Sequence, residues 1–272
     1  MKNSILIIGE SGVGKTHFGA QLLMRLNQNI GQLSMDGAAD NLEPFLEAMD
    51  RLNEGITADH TPLTTYFESI WPIKNANKYK GELIWPDYAG EQVSNIVLSH
   101  SVPNQWYKRI VESSSWIVII RPSLLRLPED ILSKPVNGGF EANDFAEKGE
   151  LSDQARLIEL LQIFLYVFSK SENDIKNPKI CILISCWDEL NTTDKPSEYL
   201  QRHLPMLSEF IHSKWHKPLI MGLSALGKVL NKEIPDNEYQ NSGPESFGYI
   251  VQSDGAQNSD LTLPISFLIE EN

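Results

Sequence analysis

The sequence predicts an α/β fold: a doubly wound, mostly parallel sheet with helices on both faces. Three observations carry this. A short apolar run, Ser4–Ile8, passes through a glycine-rich turn into a segment whose apolar residues recur at helical spacing. Three later runs, Trp116–Ile120, Lys179–Cys186 and Pro218–Leu223, are predominantly apolar, as strands covered on both faces must be. Helical patterns fall between them, and strands alternating with helices build a parallel sheet.

Each element has its own signal. Thr16–Leu26 reads as the first helix, with Phe18, Leu22, Leu23 and Leu26 on one side. Asn41–Leu52 reads as a second, through Leu42, Phe45, Leu46 and Met49. Leu63–Lys74 and Gly81–Trp85 form a hairpin across the polar turn Asn75–Lys80. Asp153–Phe168 is a strong helix with Ser152 as its N-cap. Glu198–Trp215 reads as one helix kinked at Pro205, since proline lacks the N–H that the helix ladder uses. A short strand is expected within Phe247–Gln252 and a closing helix at Leu261–Glu270. The 272 residues fit one domain with a switch-region insertion at 27–62, an irregular insertion at 122–150 and a C-terminal extension at 231–272.

Composition excludes several classes. Apolar residues make up 41% of the chain, enough for a sizeable core. A net charge of −13 repels phosphate backbones, so no nucleic-acid partner is expected. With two cysteines, Cys181 and Cys186, there is no disulfide framework, which suits the cytoplasm. Both are read on one strand, facing opposite ways. No apolar stretch reaches the roughly 18–20 residues of a membrane helix. Lys2 stands where myristoylation needs glycine, and the C-terminus lacks a prenylated cysteine. Direct membrane insertion is therefore not expected.

Gly9-Glu10-Ser11-Gly12-Val13-Gly14-Lys15-Thr16 matches GxxxxGK[ST] between a strand and a helix. The glycines let successive N–H groups converge on one anion. The helix that follows adds its positive end. Lys15 supplies charge to the β- and γ-phosphates, and Thr16 a hydroxyl to Mg²⁺. His17 continues the first helical turn, its ring expected to face away from the phosphates. This motif makes the chain a nucleotide binder without naming the base.

Three strand ends bear on the base and the γ-phosphate. Asp87-Tyr88-Ala89-Gly90 follows Gly81–Trp85. Asp87 is placed to hold Mg²⁺ through water, and the Gly90 N–H to sense the γ-phosphate. Ser185-Cys186-Trp187-Asp188 ends the run Lys179–Ile184, and Ser224-Ala225-Leu226 follows Pro218–Leu223.

In this order the motifs resemble those of Ras-like P-loop GTPases of the translation-factor-related class. The segments DYAGE and SCWDEL and the tail Phe247–Leu268 resemble the bacterial double-GTPase type of conflict and antiphage systems. The resemblance implies GTP/GDP, Mg²⁺, slow hydrolysis and a protein effector or activating partner. It places Asp188 on the guanine edge and Ser224, Ala225 and Leu226 in the loop that contacts the guanine oxygen.

Departures from the family pattern are specific. Ser185 and Cys186 occupy the Asn and Lys places of [NT]KxD. Glu91, followed by Gln92, stands where a water-orienting Gln is usual, so either is a candidate to position the attacking water. The switch threonine is sought among Thr57, Thr61, Thr64 and Thr65, with Thr61 or Thr64 fitting best and Thr61 taken as the Mg²⁺ ligand. No arginine finger is evident: Arg51 is the one Arg or Lys between Asn27 and Thr65. Trp187 is a packing residue or a stacking one. The expected function is a GTPase switch. Alternatives are a nucleotide-binding scaffold without turnover and a P-loop ATPase or kinase.

Overall fold

A computed structural model describes residues 4–58, 67–77, 79–87, 90–126, 152–171 and 176–270. Its strands are β1 (Ser4–Gly9), β2 (Leu33–Met35), β3 (Phe67–Asn75), β4 (Lys80–Asp87), β5 (Ser115–Ile120), β6 (Lys179–Ser185), β7 (Leu219–Ser224), β8 (Tyr249–Val251) and β9 (Gln257–Asn258). Its helices are α1 (Lys15–Gln28), α2 (Glu43–Asn53), α3 (Gly90–Ser99), α4 (Asn104–Glu112), α5 (Asp153–Phe168), α6 (Pro196–His203), α7 (Pro205–Lys214), α8 (Asn237–Ser242) and α9 (Leu263–Ile269). The nine strands among the described residues join one sheet in the order β2-β3-β4-β1-β5-β6-β7-β8-β9. The central five, β4-β1-β5-β6-β7, are parallel. Antiparallel pairs extend it at both sides.

The doubly wound arrangement follows from strand alternation. On β1, Leu6 and Ile8 join a core with Trp116, Leu160, Phe164 and Leu207, under α3–α7. Ile5 and Ile7 point the other way, into a core with Phe18, Leu22, Phe45 and Ile265, under α1, α2 and α9. Successive side chains of a strand take opposite faces, so a continuously apolar strand needs two covers. Trp71, Trp85, Trp106 and Trp116 are all fully buried, with Trp71 stacked on Trp85 at 5.4 Å. They are core residues.

Local chemistry sets the boundaries. Ser152 Oγ accepts the Ala155 N–H at 3.2 Å and caps α5, as expected. Asn29 ends α1 in the left-handed region at φ 57°, which asparagine tolerates. The expected kinked helix Glu198–Trp215 is instead two helices, α6 and α7. Leu204 leaves helical geometry (φ −131°, ψ 55°) and Pro205 starts α7, where a missing N–H costs nothing. The β3–β4 hairpin is present, Phe67 facing Asp87 in register.

The reading of the two cysteines is corrected. Cys181 is buried in β6, but Cys186 lies past its end at φ 52°, so the two do not share a strand. Residues 27–62 contribute β2 and α2. The tail 231–272 supplies α8, β8, β9 and α9, and its Leu261, Ile265 and Leu268 lie in the core beside Ile5. Of the segment 122–150, a 3₁₀ turn at Pro122–Leu124 is described; residues 127–151 lie outside the described part. Among the described residues no helix is long and apolar enough to cross a membrane.

Candidate nucleotide site

The five parallel strands end at one sheet edge. Gly9 closes β1, Asp87 closes β4, Ile120 closes β5, Ser185 closes β6 and Ser224 closes β7. This carboxyl edge is where open α/β sheets bind ligands. Every motif singled out in the sequence begins there.

The glycine loop Gly9–Gly14 has the shape the motif requires. Gly12 and Gly14 sit at φ 76° and 87°, a region open to glycine at little cost. A Cβ on Gly9 would come within 2.9 Å of Val13 Cγ2 and 3.2 Å of the Ile119 carbonyl. Lys15 is buried, its ammonium donating to the Gly9 and Glu10 carbonyls at 2.9 and 2.6 Å. No side chain caps α1, and its first turn holds no acidic residue. Its positive end is thus directed at the loop without internal compensation, a setting that suits phosphate.

The turn after β6 is tied to the end of β7. Ser224 Oγ donates to Asp188 Oδ1 at 2.6 Å and accepts the Gly227 N–H at 3.0 Å. The last residue of β7 thereby orients the carboxylate that follows β6. Trp187 is a packing residue: its indole is buried against Tyr199 at 5.6 Å. It fits because residue 222 is glycine; a Cβ there would meet the indole at 2.5 Å. Ala225 and Leu226 continue past β7, and Gly248 packs so closely that a Cβ would lie 2.5 Å from the Ala225 carbonyl. The C-terminal tail therefore braces the Ser224–Leu226 loop. From β8, Tyr249 faces Ser224 in register; burial raises its phenol pKa, the negative charge of Asp188 adding to the shift and a hydrogen bond to Ser224 opposing it.

Two arginines at this edge were missed in the sequence. Arg121 directly follows β5. Its Nη1 donates to the Gly12 carbonyl at 3.1 Å, and its Nη2 lies 2.7 and 3.0 Å from the two carboxylate oxygens of Glu189. Arg156, on α5, pairs with both oxygens of Glu10, with Nη2 to Oε2 at 2.9 Å, and also reaches Asp153 at 3.1 Å. The Nε of each is buried and has no partner among the described residues. The available signal for Arg121 was its position one residue past an apolar strand, the same placement that drew attention to Asp188 and Ser224. Nothing local marked Arg156, which only the folding of α5 brings to the loop.

The other expected residues are distributed as follows. Ser11 and Thr16 belong to the loop and the first turn of α1. The His17 ring accepts the Ala58 N–H at 3.1 Å and lies 2.9 Å from Thr57 Oγ1. It ties α1 to the chain beyond α2, the work of its imidazole. Asp87 ends β4 and Gly90 and Glu91 open α3; the side chains of Asp87 and Glu91 lie outside the described part. Gln92 is half-buried, its Oε1 without a partner among the described residues. Thr61, Thr64 and Thr65 lie outside the described residues.

Solved structures similar to the chain include a bacterial selenocysteine-specific elongation factor, EF-Sec (12% identity, 83% of this chain and 26% of that one, TM-score 0.38). They also include the Saccharomyces cerevisiae Ski7 GTPase-like domain bound to GDP and inorganic phosphate (12% identity, 87% and 46%, TM-score 0.42). A third is a mutation variant of SsGBP (14% identity, 83% and 50%, TM-score 0.34). The chain spans half or less of the length of each. A search of curated proteins returned no match. The sequence matches the family described as Double-GTPase 1 over residues 6–268, nearly its whole length, and the chain therefore belongs to the double-GTPase 1 family of P-loop GTPases.

Proposed function

We propose that this chain is a guanine-nucleotide switch that binds GTP and GDP with Mg²⁺ and hydrolyses GTP to GDP slowly. The observation that carries this reading is the Ser224–Asp188 hydrogen bond. It fixes a carboxylate at the same sheet edge as the glycine loop, the side of the site where a base must be read. An aspartate accepts from the N1–H and exocyclic amine of guanine, whereas adenine offers no such pair of donors.

Each residue has a role in this reading. The N–H groups of Gly9–Thr16 and the Lys15 ammonium hold the phosphates. Opening Lys15 from the Gly9 and Glu10 carbonyls frees its charge for the β- and γ-oxygens. Thr16, Asp87 and Thr61 offer oxygen donors, the hard ligand set that Mg²⁺ prefers. When bound, the ion neutralises charge on the β- and γ-phosphates. Gly90, at the start of α3, responds to the γ-phosphate, and Glu91 or Gln92 orients the attacking water. Asp188 reads the base, with Ser224, Ala225 and Leu226 forming the loop beside it.

The switch acts in the cytoplasm and passes its state to a protein partner. The partner also supplies the stimulation that a slow site needs. A role in a bacterial conflict or antiphage system rests on the family resemblance. Turnover is tested by single-turnover hydrolysis of radiolabelled GTP with Mg²⁺. Slow phosphate release that vanishes in Lys15→Ala supports the switch. Tight GTP binding without release supports the second reading, a scaffold without turnover. That second reading is favoured by the burial of Gln92 Oε1, which has no hydrogen-bond partner among the described residues.

A further inference from the structure

The two halves of the site belong to different strands. The glycine loop follows β1, and the Asp188 turn follows β6, with β5 between them. A nucleotide that touches both halves binds well only if their separation is fixed before it arrives, because ordering on binding costs affinity. The sheet fixes the strand ends through β5, so what remains to be set is the spacing of the loops beyond them. Ser185 does not set it: its hydroxyl is used on the Ile120 carbonyl at 3.2 Å. Cys186 does not either. Burial pushes its thiol up to about 11, so it is a neutral, weak donor.

Arg121 spans the gap. It leaves the end of β5, the strand hydrogen-bonded to both β1 and β6. One terminal nitrogen holds the carbonyl of Gly12, inside the glycine loop. The other holds the carboxylate of Glu189, the residue after Asp188. Ser123 Oγ adds a longer contact to the same carboxylate at 3.4 Å. A planar guanidinium can serve two partners in fixed directions at once; an ammonium holds no such geometry.

We propose that Arg121 is a positioning residue that locks the phosphate loop to the base-reading turn, with Glu189 as its anchor. This rests on the guanine-nucleotide reading above. The lock holds the Gly12 carbonyl and the Asp188 turn at the spacing a bound nucleotide needs. It does so in a chain whose turn carries Ser185 and Cys186 in place of a long cationic side chain. The base contact itself remains with Asp188, so the lock governs how long nucleotide stays rather than which base is chosen.

The test is the release rate of a fluorescent GDP analogue from the full chain in Mg²⁺, with affinities for GDP and ADP measured beside it. Arg121→Ala is expected to release GDP roughly tenfold faster or more, the scale of losing a charged hydrogen bond. The preference for GDP over ADP should remain. Arg121→Lys should recover part of the rate, since one partner can still be held. Glu189→Gln should speed release less than Arg121→Ala does. The double variant should release no faster than Arg121→Ala alone, because both act through one lock. Release within twofold of the unmodified chain in Arg121→Ala overturns the proposal, as do additive effects in the double variant. If Arg121→Ala fails to fold by thermal melting, Glu189→Gln alone decides: faster release supports the lock and an unchanged rate overturns it. A chain that binds no GDP at all contradicts the guanine reading instead, a result visible before any variant is made.

Discussion

The hydroxyl of Ser224 donates to the carboxylate of Asp188 across 2.6 Å, joining the end of β7 to the turn after β6. The same hydroxyl accepts the Gly227 N–H, so both its donor and an acceptor site are used. Replacing Ser224 with alanine leaves Asp188 without this guide and Gly227 without its acceptor. Hydrogen bonds to charged groups contribute about 1.5–3 kcal/mol. Ser224→Ala is expected to lower the melting temperature by several degrees and to weaken GDP binding roughly tenfold or more. Calorimetric titration with GDP checks this.

Gly222 makes a steric prediction. A methyl there meets the Trp187 indole at 2.5 Å, and both sit in packed surroundings. Overpacking costs about 1–3 kcal/mol. Gly222→Ala should lower stability by that amount and push the Trp187–Asp188 turn outward. Tryptophan fluorescence and GDP affinity should change together; stability loss with unchanged affinity would show that the turn tolerates the displacement.

Glu10 places a carboxylate in the phosphate loop, and Arg156 offsets its charge. The pair is partly exposed, so its own contribution to folding is about 1 kcal/mol or less. Its effect on an arriving triphosphate is larger, because Arg156→Ala leaves an uncompensated anion beside the phosphates. Arg156→Ala should weaken GTP binding, and adding Glu10→Gln should restore much of it. Binding that worsens further in the double variant contradicts this account. Salt should narrow the difference.

Cys186 lies beside the site, and burial is the main reason its thiol stands near 11, with Glu189 and Asp188 adding to the shift and Arg121 opposing it. Since only the thiolate is alkylated, about one molecule in a thousand is reactive at pH 8. Iodoacetamide labelling of Cys186 should be slow at pH 7–8 and rise steeply towards pH 10–11. Cys181 is fully buried and should stay unlabelled while the chain is folded. Mass spectrometry across the pH series reads both.

The strands and the glycine loop were legible because their signals are local. Ile5 to Ile8 is apolar at every position, and that pattern alone demands two covering layers. Gly12, Gly14 and Lys15 lie in one contiguous motif. What sequence reading missed depends on tertiary proximity. Helices α3 and α4 are short, so Val93 with Ile96 and Trp106 with Ile110 each show a single helical repeat, too little to mark a helix. Arg156 meets Glu10 only once α5 packs beside the sheet. Arg121 stands directly after an apolar strand, but its two partners, Gly12 and Glu189, lie 109 and 68 residues away. Leu204 shows a different limit. Pro205 announced a disturbance, yet whether the chain bends or breaks there was settled by packing.

The central claim is that the carboxylate of Asp188 selects guanine. The direct measurement is calorimetry of GTP, GDP and ATP binding in Mg²⁺, on the unmodified chain and on Asp188→Ala. The account predicts that GTP and GDP bind at least about a hundredfold tighter than ATP, two or more hydrogen bonds being lost with adenine. It predicts that Asp188→Ala removes most of that preference and that Lys15→Ala weakens all three nucleotides. ATP binding as tightly as GTP, or an unchanged preference in Asp188→Ala, would contradict it and point instead to an ATP-dependent enzyme.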